Sequence, residues 1–489
     1  MKKIAFLTVV AAGLALPVWA AGPTFIDVSE KAGVGAAGNG KGVAFADIDN
    51  DGYWDIYISN KGGEGHLYRN NGNGTFTDIT QEAGVSDAGF KMGSVFFDYD
   101  NDGLPDLFLS KGGRDEIEPN RLLKNMGNCK FVDVTEKAGL SGKFFTYSAA
   151  SADYDNDGYL DLYLANYGVG KKNILYHNNG NGTFTDVTEK AGVGDRSWSW
   201  SATWVDVNND GLLDLYVVNG SYPAGEPNKL YINQGKGIFK EEARDRGVDD
   251  PNWGLGATFA DYDNDGSLDL YVSNYVGPNN LYHNDGTGHF RLVTDIAGVS
   301  GGPDHWGKGP TWGDYDNDGK LDLYEGDCKT ANQLYHNNGD GTFTNVAEKN
   351  PDVKLATVRT KGTMFADIDN DGDLDLYVVN WAAPNKLFLN TTNNSDYLKV
   401  RLVGHTSNHM AIGSRVWVKE TGKLIGMREL ATASGFCAQA PQELHFGGLK
   451  AGKSYTVEVR FPSGARRVLE NVTPGKTITI EEPSEVAKR

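Results

Sequence analysis

Apolar residues along this chain fall in short clusters, each cut off by Gly, Asn or Asp, and the clusters come in sets of four. One set reads Gly256–Asp261, Asp269–Asn274, Asn280–His283 and His289–Val293. Runs this short, rich in β-branched and aromatic residues and broken by Asn-Gly and Asp-Gly turns, predict antiparallel strands joined by hairpins. The set recurs along most of the chain, and four strands per unit of about 40–55 residues is the pattern of a propeller blade.

The break between the first and second strand is the most regular part of the unit. Asp-x-Asp-x-Asp-Gly-x-x-Asp begins at Asp47, Asp98, Asp153, Asp261, Asp314 and Asp367, and a seventh copy begins at Asp206 with Asn208 at its third position. In chain order the copies start 51, 55, 53, 55, 53 and 53 residues apart. A second half-unit follows each copy, cleanest as Asn173-Ile-Leu-Tyr-His-Asn-Asn-Gly-Asn-Gly-Thr-Phe-Thr-Asp-Val-Thr, with cognates near His66, Arg121, Lys229, Asn280 and Gln333. The last copy runs through Asn385-Lys-Leu-Phe-Leu-Asn390 and then lacks a fourth strand. The missing piece stands near the other end, where Thr24-Phe-Ile-Asp-Val-Ser-Glu-Lys-Ala-Gly-Val34 matches Thr183-Phe-Thr-Asp-Val-Thr-Glu-Lys-Ala-Gly-Val193. An N-terminal strand that completes the last blade closes the ring and removes open sheet edges.

Beyond the short linker Thr391–Ser395 the pattern changes to alternation of polar and apolar residues, over Tyr397–Val403, Ser414–Val418, Ser454–Phe461 and Lys476–Ile480. That is the signature of a small β-sandwich. The expected chain is therefore all-β: a leader over 1–20, a seven-bladed β-propeller over 21–392, a sandwich over 396–482 and a tail over 483–489. The leader follows from Lys2 and Lys3, the apolar run Ile4 to Val18, and small residues at Val18 and Ala20, the positions a signal peptidase reads before Ala21. An apolar run of about 15 residues is short for a membrane span. The expected protein is exported to the periplasm, the cell surface or the medium, with no membrane span.

Charge sharpens the reading of the loops. The formal net charge is −19, and no basic stripe able to neutralise phosphates is present, so nucleic acid is excluded as a partner. Seven loops of four acids, less the one replaced by Asn208, hold 27 of the 65 acidic residues. Oxygen donors recur at positions 1, 3, 5 and 9 of each loop, Gly at position 6 permits the turn, and position 7 offers its carbonyl. The sets are Asp47, Asp49, Asp51, Tyr53 and Asp55; Asp98, Asp100, Asp102, Leu104 and Asp106; Asp153, Asp155, Asp157, Tyr159 and Asp161; Asp206, Asn208, Asp210, Leu212 and Asp214; Asp261, Asp263, Asp265, Ser267 and Asp269; Asp314, Asp316, Asp318, Lys320 and Asp322; and Asp367, Asp369, Asp371, Asp373 and Asp375. Hard oxygens at this density suit Ca²⁺ better than Mg²⁺, which keeps its waters, and the absence of Cys and His from the loops disfavours soft metals. About seven structural Ca²⁺ ions are expected. The loop closes at position 9 without flanking helices, so a calcium switch is not. Asn208 should make the fourth site the weakest.

These residues carry a resemblance. Residues 40–390 resemble FG-GAP/VCBS repeats, the blades of integrin α-subunit propellers. Residues 396–482 resemble the ASPIC/UnbV domain through Gly404-His-Thr-Ser-Asn-His-Met-Ala-Ile-Gly-Ser-Arg-Val-Trp-Val418, His445-Phe-Gly-Gly448 and Val457-Glu-Val-Arg-Phe-Pro-Ser-Gly464, with Phe461 where Trp is expected. Together they are similar to the CRTAC-type (cartilage acidic protein-like) family, which implies an extracellular or surface-associated binding protein with no firmly attached reaction.

Function is expected away from the loops. The opposite face of the ring collects Tyr147, Trp200, Trp253, Trp306, Arg359 and Trp381 as candidate ligand residues, with Trp198, His305, Lys361, Lys61, Lys111, Arg114, Tyr167, Tyr222 and Tyr275 beside them. Aromatic and cationic groups suit stacked sugars or an acidic peptide, unless the rings plug the channel. An extracellular protein or a glycan is the expected ligand, and self-association into a surface layer or filament is a further possibility. No Gly-x-Ser-x-Gly, HExxH or phosphate loop appears, so catalysis is not expected; a polysaccharide-binding or lyase-like protein is the alternative reading. His177, His283 and His336 share one repeat position and are expected at the surface. Cys129, Cys328 and Cys437 are expected as buried thiols.

Overall fold

A computed structural model describes residues 25–112, 118–168, 171–221, 226–302 and 304–484. The leader, its cleavage point, Arg114, Tyr222 and residues 485–489 lie outside the described residues.

The short apolar runs form seven four-stranded antiparallel blades. Blade 1 comprises Ala37–Ala46, Asp55–Asn60, His66–Asn70 and Phe76–Asp78, and blade 5 comprises Trp253–Ala260, Asp269–Val276, Asn280–Asn284 and Phe290–Leu292. Blades 2 to 6 are separate sheets, whereas blades 7 and 1 are linked by Ala37–Asn39 pairing with Trp381–Pro384. Blade 7 takes its outer strand from the other end of the chain: Phe25–Asp27 pairs with Lys386–Asn390, Phe25 opposite Asn390 and Asp27 opposite Phe388. The ring is closed as the sequence predicts.

Each second strand begins Asp-aliphatic-aromatic, and the aromatic residue is the fully buried centre of its blade (Tyr57, Phe108, Tyr163, Tyr216, Tyr271, Tyr324, Tyr377). A phenol buried there needs an acceptor. Tyr163, Tyr216, Tyr271 and Tyr324 donate to the carbonyls of Val193, Val248, Val299 and Val353, and Tyr377 donates to Val34 at the N-terminal end of the ring. Asparagine at the end of each third strand stitches neighbouring blades: Nδ2 of Asn125, Asn178, Asn233, Asn284, Asn337 and Asn390 donates to a carbonyl of the preceding blade's loop. Asn70 does the same to Ile368, across the closure. Single-turn helices such as Ser29–Ala32 and Thr188–Ala191 follow several outer strands, each ended by a left-handed glycine; the strand pattern did not predict them.

The C-terminal region is a sandwich of two sheets, Leu444–Phe446, Leu398–Val403 and Lys476–Glu481 against Lys423–Glu429, Arg415–Glu420, Tyr455–Arg460 and Arg466–Val472. Its core, including Ile412, Leu430 and Phe461, is continuous with that of blades 2 and 3. The sandwich sits on the face that carries the Asp-rich loops. Arg401 donates to the Gly52 carbonyl at 3.0 Å, the His409 amide to Asn101 Oδ1 at 3.0 Å, and Lys399 Nζ lies 2.5 Å from Asp367 Oδ2.

From this face a hairpin enters the central channel. Ser434 N–H donates to the Ala438 carbonyl, Gly435 N–H to the Ala257 carbonyl, and Ala438 pairs in parallel with Val43. The Gln439 side-chain amide is bonded both ways to the backbone of Phe96, at 2.6 and 2.8 Å. A Cβ on Gly42 would lie 2.0 Å from the Cys437 carbonyl oxygen, so only glycine lets the plug approach that strand.

Candidate metal centres and the channel mouth

Each loop starts where an inner strand ends and closes where the second strand begins, so its first and last carboxylates stand on ladder ends. In blade 1 the Asp47 carboxylate accepts the N–H groups of Asp51 and Gly52, both at 2.9 Å, and Asp55 accepts those of Ile48 (3.0 Å) and Asn70 (2.7 Å). Gly52 has φ +92°, open to it for want of a Cβ. The position-1 carboxylates of the six other loops, Asp98, Asp153, Asp206, Asp261, Asp314 and Asp367, are pinned in the same way. Asparagine at position 4 links loops around the ring: Asn50 donates to the Gly103 carbonyl and Asn370 to Gly52, across the closure.

Position 3 is held differently. Oδ1 of Asp49, Asp100, Asp155 and Asp316 is buried without a hydrogen-bond partner, although buried polar atoms are ordinarily paired. In blades 1 and 2 oxygens of the position 1, 3 and 9 carboxylates lie within 4.8 Å of one another. Several carboxylate oxygens converging on one point, one of them unpartnered, fit a hard divalent cation.

The third strands correct one expectation. His177, His283 and His336 are half-buried over the loops of blades 3, 5 and 6, with Nδ1 3.2 Å from Asp161, 3.2 Å from Asp269 and 3.3 Å from Asp322. Strand geometry turns this residue back towards the loop, which sequence spacing alone conceals. Arg69 and Lys124 occupy the same register in blades 1 and 2 and pair with Asp49 and Asp51, and with Asp100 and Asp102. The loops of blades 4 and 7 receive their cations from the sandwich instead. Arg460 lies 2.7 Å from Asp206 Oδ2, Arg415 bridges Asp206 and Glu429, and Lys399 reaches Asp367.

Without a metal in the loop, burial pushes the carboxyls of Asp55, Asp106, Asp153 and Asp261 up to about 8. Folding of the ion-free chain therefore takes up protons between the unfolded value of 3.8 and about 8, and its stability falls as pH rises through that window. A bound cation competes with those protons and reverses the slope. Chelated protein exchanged into metal-free buffer should melt higher at pH 5 than at pH 8, and calcium-loaded protein the other way round; differential scanning calorimetry at both pH values checks the crossing.

On the opposite face, Tyr147 and Trp200 are buried beneath the plug, packed with Met92, Leu255 and Phe436. They line the channel and present no open surface. Trp253, Trp306 and Trp381 are half-buried at the rim and Arg359 is exposed. Sequence reading missed the register behind this. The residue six positions before each loop's first Asp is Lys41, Met92, Tyr147, Trp200, Leu255, Lys308 or Lys361 in blades 1 to 7. In each blade it lies beside a break in the pairing of the inner strand, between Gly40 and Gly42 in blade 1. The three thiols are unbridged, Cys328 and Cys437 buried and Cys129 half-buried.

The profile of the FG-GAP-like repeat matches residues 47–109, 98–164, 153–217, 217–272, 263–325 and 326–400, nearly the whole ring. The chain belongs to the FG-GAP-like repeat family. The profile described as ASPIC and UnbV matches residues 404–487 of this FG-GAP protein, the docked sandwich. Among curated relatives, "Cartilage acidic protein 1" of Homo sapiens is 26% identical over 485 residues, covering 90% of this chain and 71% of its own length. The Xenopus tropicalis protein of that name is 25% identical, covering 92% and 67%. Two solved structures have similar folds at 10% identity. BBS1N in complex with ARL6DN has a TM-score of 0.46 and covers 75% of this chain and 96% of its own; YCF48 bound to D1 peptide has a TM-score of 0.45 and covers 76% and 96%. Among the described residues no helix is long and apolar enough to cross a membrane.

Proposed function

We propose that this FG-GAP protein is exported and holds about seven structural Ca²⁺ ions, one per blade, which fasten a scaffold for extracellular binding, adhesion or surface assembly. The observation that carries the calcium assignment is the unpartnered, buried Oδ1 of Asp49, Asp100, Asp155 and Asp316, carboxylates that belong to the clustered acidic groups of their loops. Carboxylates at positions 1, 3, 5 and 9 would hold the ion, which supplies charge neutralisation and no reaction. The relatives named cartilage acidic protein 1 and the leader-like N-terminus support an extracellular setting. Rigid loops clamped under the sandwich favour permanent fasteners over a sensor.

The fourth loop should release its ion first. Asn208 replaces a carboxylate and donates to Asp210 Oδ2 at 2.9 Å, and Arg460 already neutralises Asp206. In a competitive chelator titration followed by calorimetry, one ion per chain should leave at least ten-fold more readily than the rest, and Asn208→Asp should remove that first phase. A single phase unchanged by Asn208→Asp would count against these loop ligands. The scaffold reading itself is tested by light scattering and pull-down with and without calcium.

A further inference from the structure

At the position six residues before the loops, four consecutive blades carry Met92, Tyr147, Trp200 and Leu255, which pack on the plug. The three remaining blades, 6, 7 and 1, are also consecutive around the closed ring, and all carry lysine. Lys41, Lys308 and Lys361 are 6%, 6% and 8% exposed. Among the described residues no carboxylate lies within 4.0 Å of their ammonium groups; the ion pairs of this face belong to other lysines, such as Lys111 with Asp87 and Glu118, and Lys329 with Asp304. Lys361 Nζ lies 3.1 Å from Cys328 Sγ, Lys308 faces Lys361 and the Cys328 and Cys437 thiols, and the rest of the surroundings of the three ammonium groups is aromatic. Lys41 stands 5.5 Å from the Tyr147 ring and 5.0 Å from Trp381, Lys308 5.0 Å from Tyr275 and 5.1 Å from Phe436, and Lys361 5.7 Å from Trp381.

Three buried like charges beside one another, with aromatic faces and no counter-ion, are costly unless an anion joins them. Burial and the neighbouring ammonium groups depress both Lys41 and Lys308, the latter to about 8. Phe436 floors the site, and the half-buried rings of Trp381, Tyr275 and Trp306 rim it.

We infer that this lysine arc and its aromatic rim form a binding site for an acidic sugar, with the anionic group of the sugar on Lys41, Lys308 and Lys361 and its ring against Trp381 and Tyr275. The carboxylate or sulfate supplies the missing counter-charge, and the apolar face of a pyranose stacks on an aromatic ring as neutral hydroxylated rings do in concave sites. An acidic peptide fits less well. An extended peptide would pair with the inner-strand edges facing the channel, and the plug already engages these at Val43, Ala44 and Ala257. The inference rests on the reading of the propeller as a binding scaffold and names its ligand class.

The test is titration of calcium-loaded full-length protein with galacturonate and glucuronate oligomers, sulfated dextran oligomers, a neutral galactose oligomer and hexaglutamate, followed by tryptophan fluorescence and calorimetry. A uronate or sulfated oligomer should bind saturably, the two arms showing which anion is preferred, and the neutral oligomer at least ten-fold more weakly. Lys308→Met and Lys361→Met, which keep the stem volume, should each weaken binding at least ten-fold without lowering the melting temperature or the calcium content; Trp381→Leu should weaken it too. Binding unaffected by the lysine variants, equal binding of the neutral oligomer, tighter binding of hexaglutamate, or no binding of any acidic oligomer would overturn the site. Loss of calcium or early melting in the wild type would instead indict the scaffold, so the two failures are read separately.

Discussion

Stripping the metal should lower the melting temperature of the folded chain by at least 20 °C. At 10 mM calcium, sites with dissociation constants of roughly 10⁻⁴–10⁻³ M each add about 1.4–2.7 kcal/mol, so seven acting on one cooperative ring add on the order of 10–19 kcal/mol. That is comparable with the whole stability of an ordinary domain, about 5–15 kcal/mol. Two features make the loss larger than seven separate loops would suggest. Lys399, Arg401, Arg415 and Arg460 dock the sandwich on the loops and their carbonyls, so loops that loosen release the clamp as well. The position-4 asparagines also tie loop to loop around the ring. Melts after EDTA treatment, followed by tryptophan fluorescence, should show the shift, and excess calcium should restore it. Restoration by magnesium alone, or an unshifted melt, would mean that the loops stand without calcium.

Removing residues 21–34 from the exported chain should cost at least 10 °C and produce soluble oligomers or precipitate. The deletion takes Phe25, 4% exposed and packed 5.8 Å from the Tyr315 ring, a loss of about 3–5 kcal/mol by the measure of large-to-alanine core substitutions. It also removes the Val34 carbonyl that accepts from Tyr377 and the Ser29 hydroxyl that accepts from the Leu387 amide. Each orphaned buried group costs roughly 1–3 kcal/mol more. The strand Lys386–Asn390 then becomes an open edge, which invites pairing with another chain. Phe25→Ala, which keeps the strand, should fall between the wild type and the deletion in calorimetry and remain monomeric by light scattering. A deletion variant that stays monomeric and melts within about 2 °C of the wild type would place closure elsewhere.

Blade number, strand order and closure were legible because each rests on local punctuation repeated seven times. The pairing of Phe25–Asp27 with Lys386–Asn390 followed from a strand missing at one end and present at the other. What stayed hidden depends on contacts without period. Nothing about Gln439 announces that its amide bonds the Phe96 backbone, 343 residues away, nor that Gly42 is glycine because Cys437 passes over it. The histidines of the third strands were visible as a repeat, but which way a strand residue leans over a neighbouring loop is set by twist and packing. The lysine arc lay in plain register, six residues before each loop, yet an inspection for aromatic clusters passes over Lys41 and Lys308 because their meaning appears only when blades 6, 7 and 1 become neighbours. Tyr147 and Trp200 were sorted to the correct face and the wrong depth, since the plug that buries them comes from a region of unrelated pattern.

The measurement that bears most directly on the account is the metal content of the protein purified without chelator and equilibrated by dialysis in 10 mM calcium, by plasma mass spectrometry with the calcium of the dialysate subtracted. Close to seven calcium ions per chain, falling to about six in Asp155→Asn/Asp157→Asn protein, is the expected result. Little or no calcium in well-folded protein, or stoichiometric zinc or magnesium in its place, would contradict it.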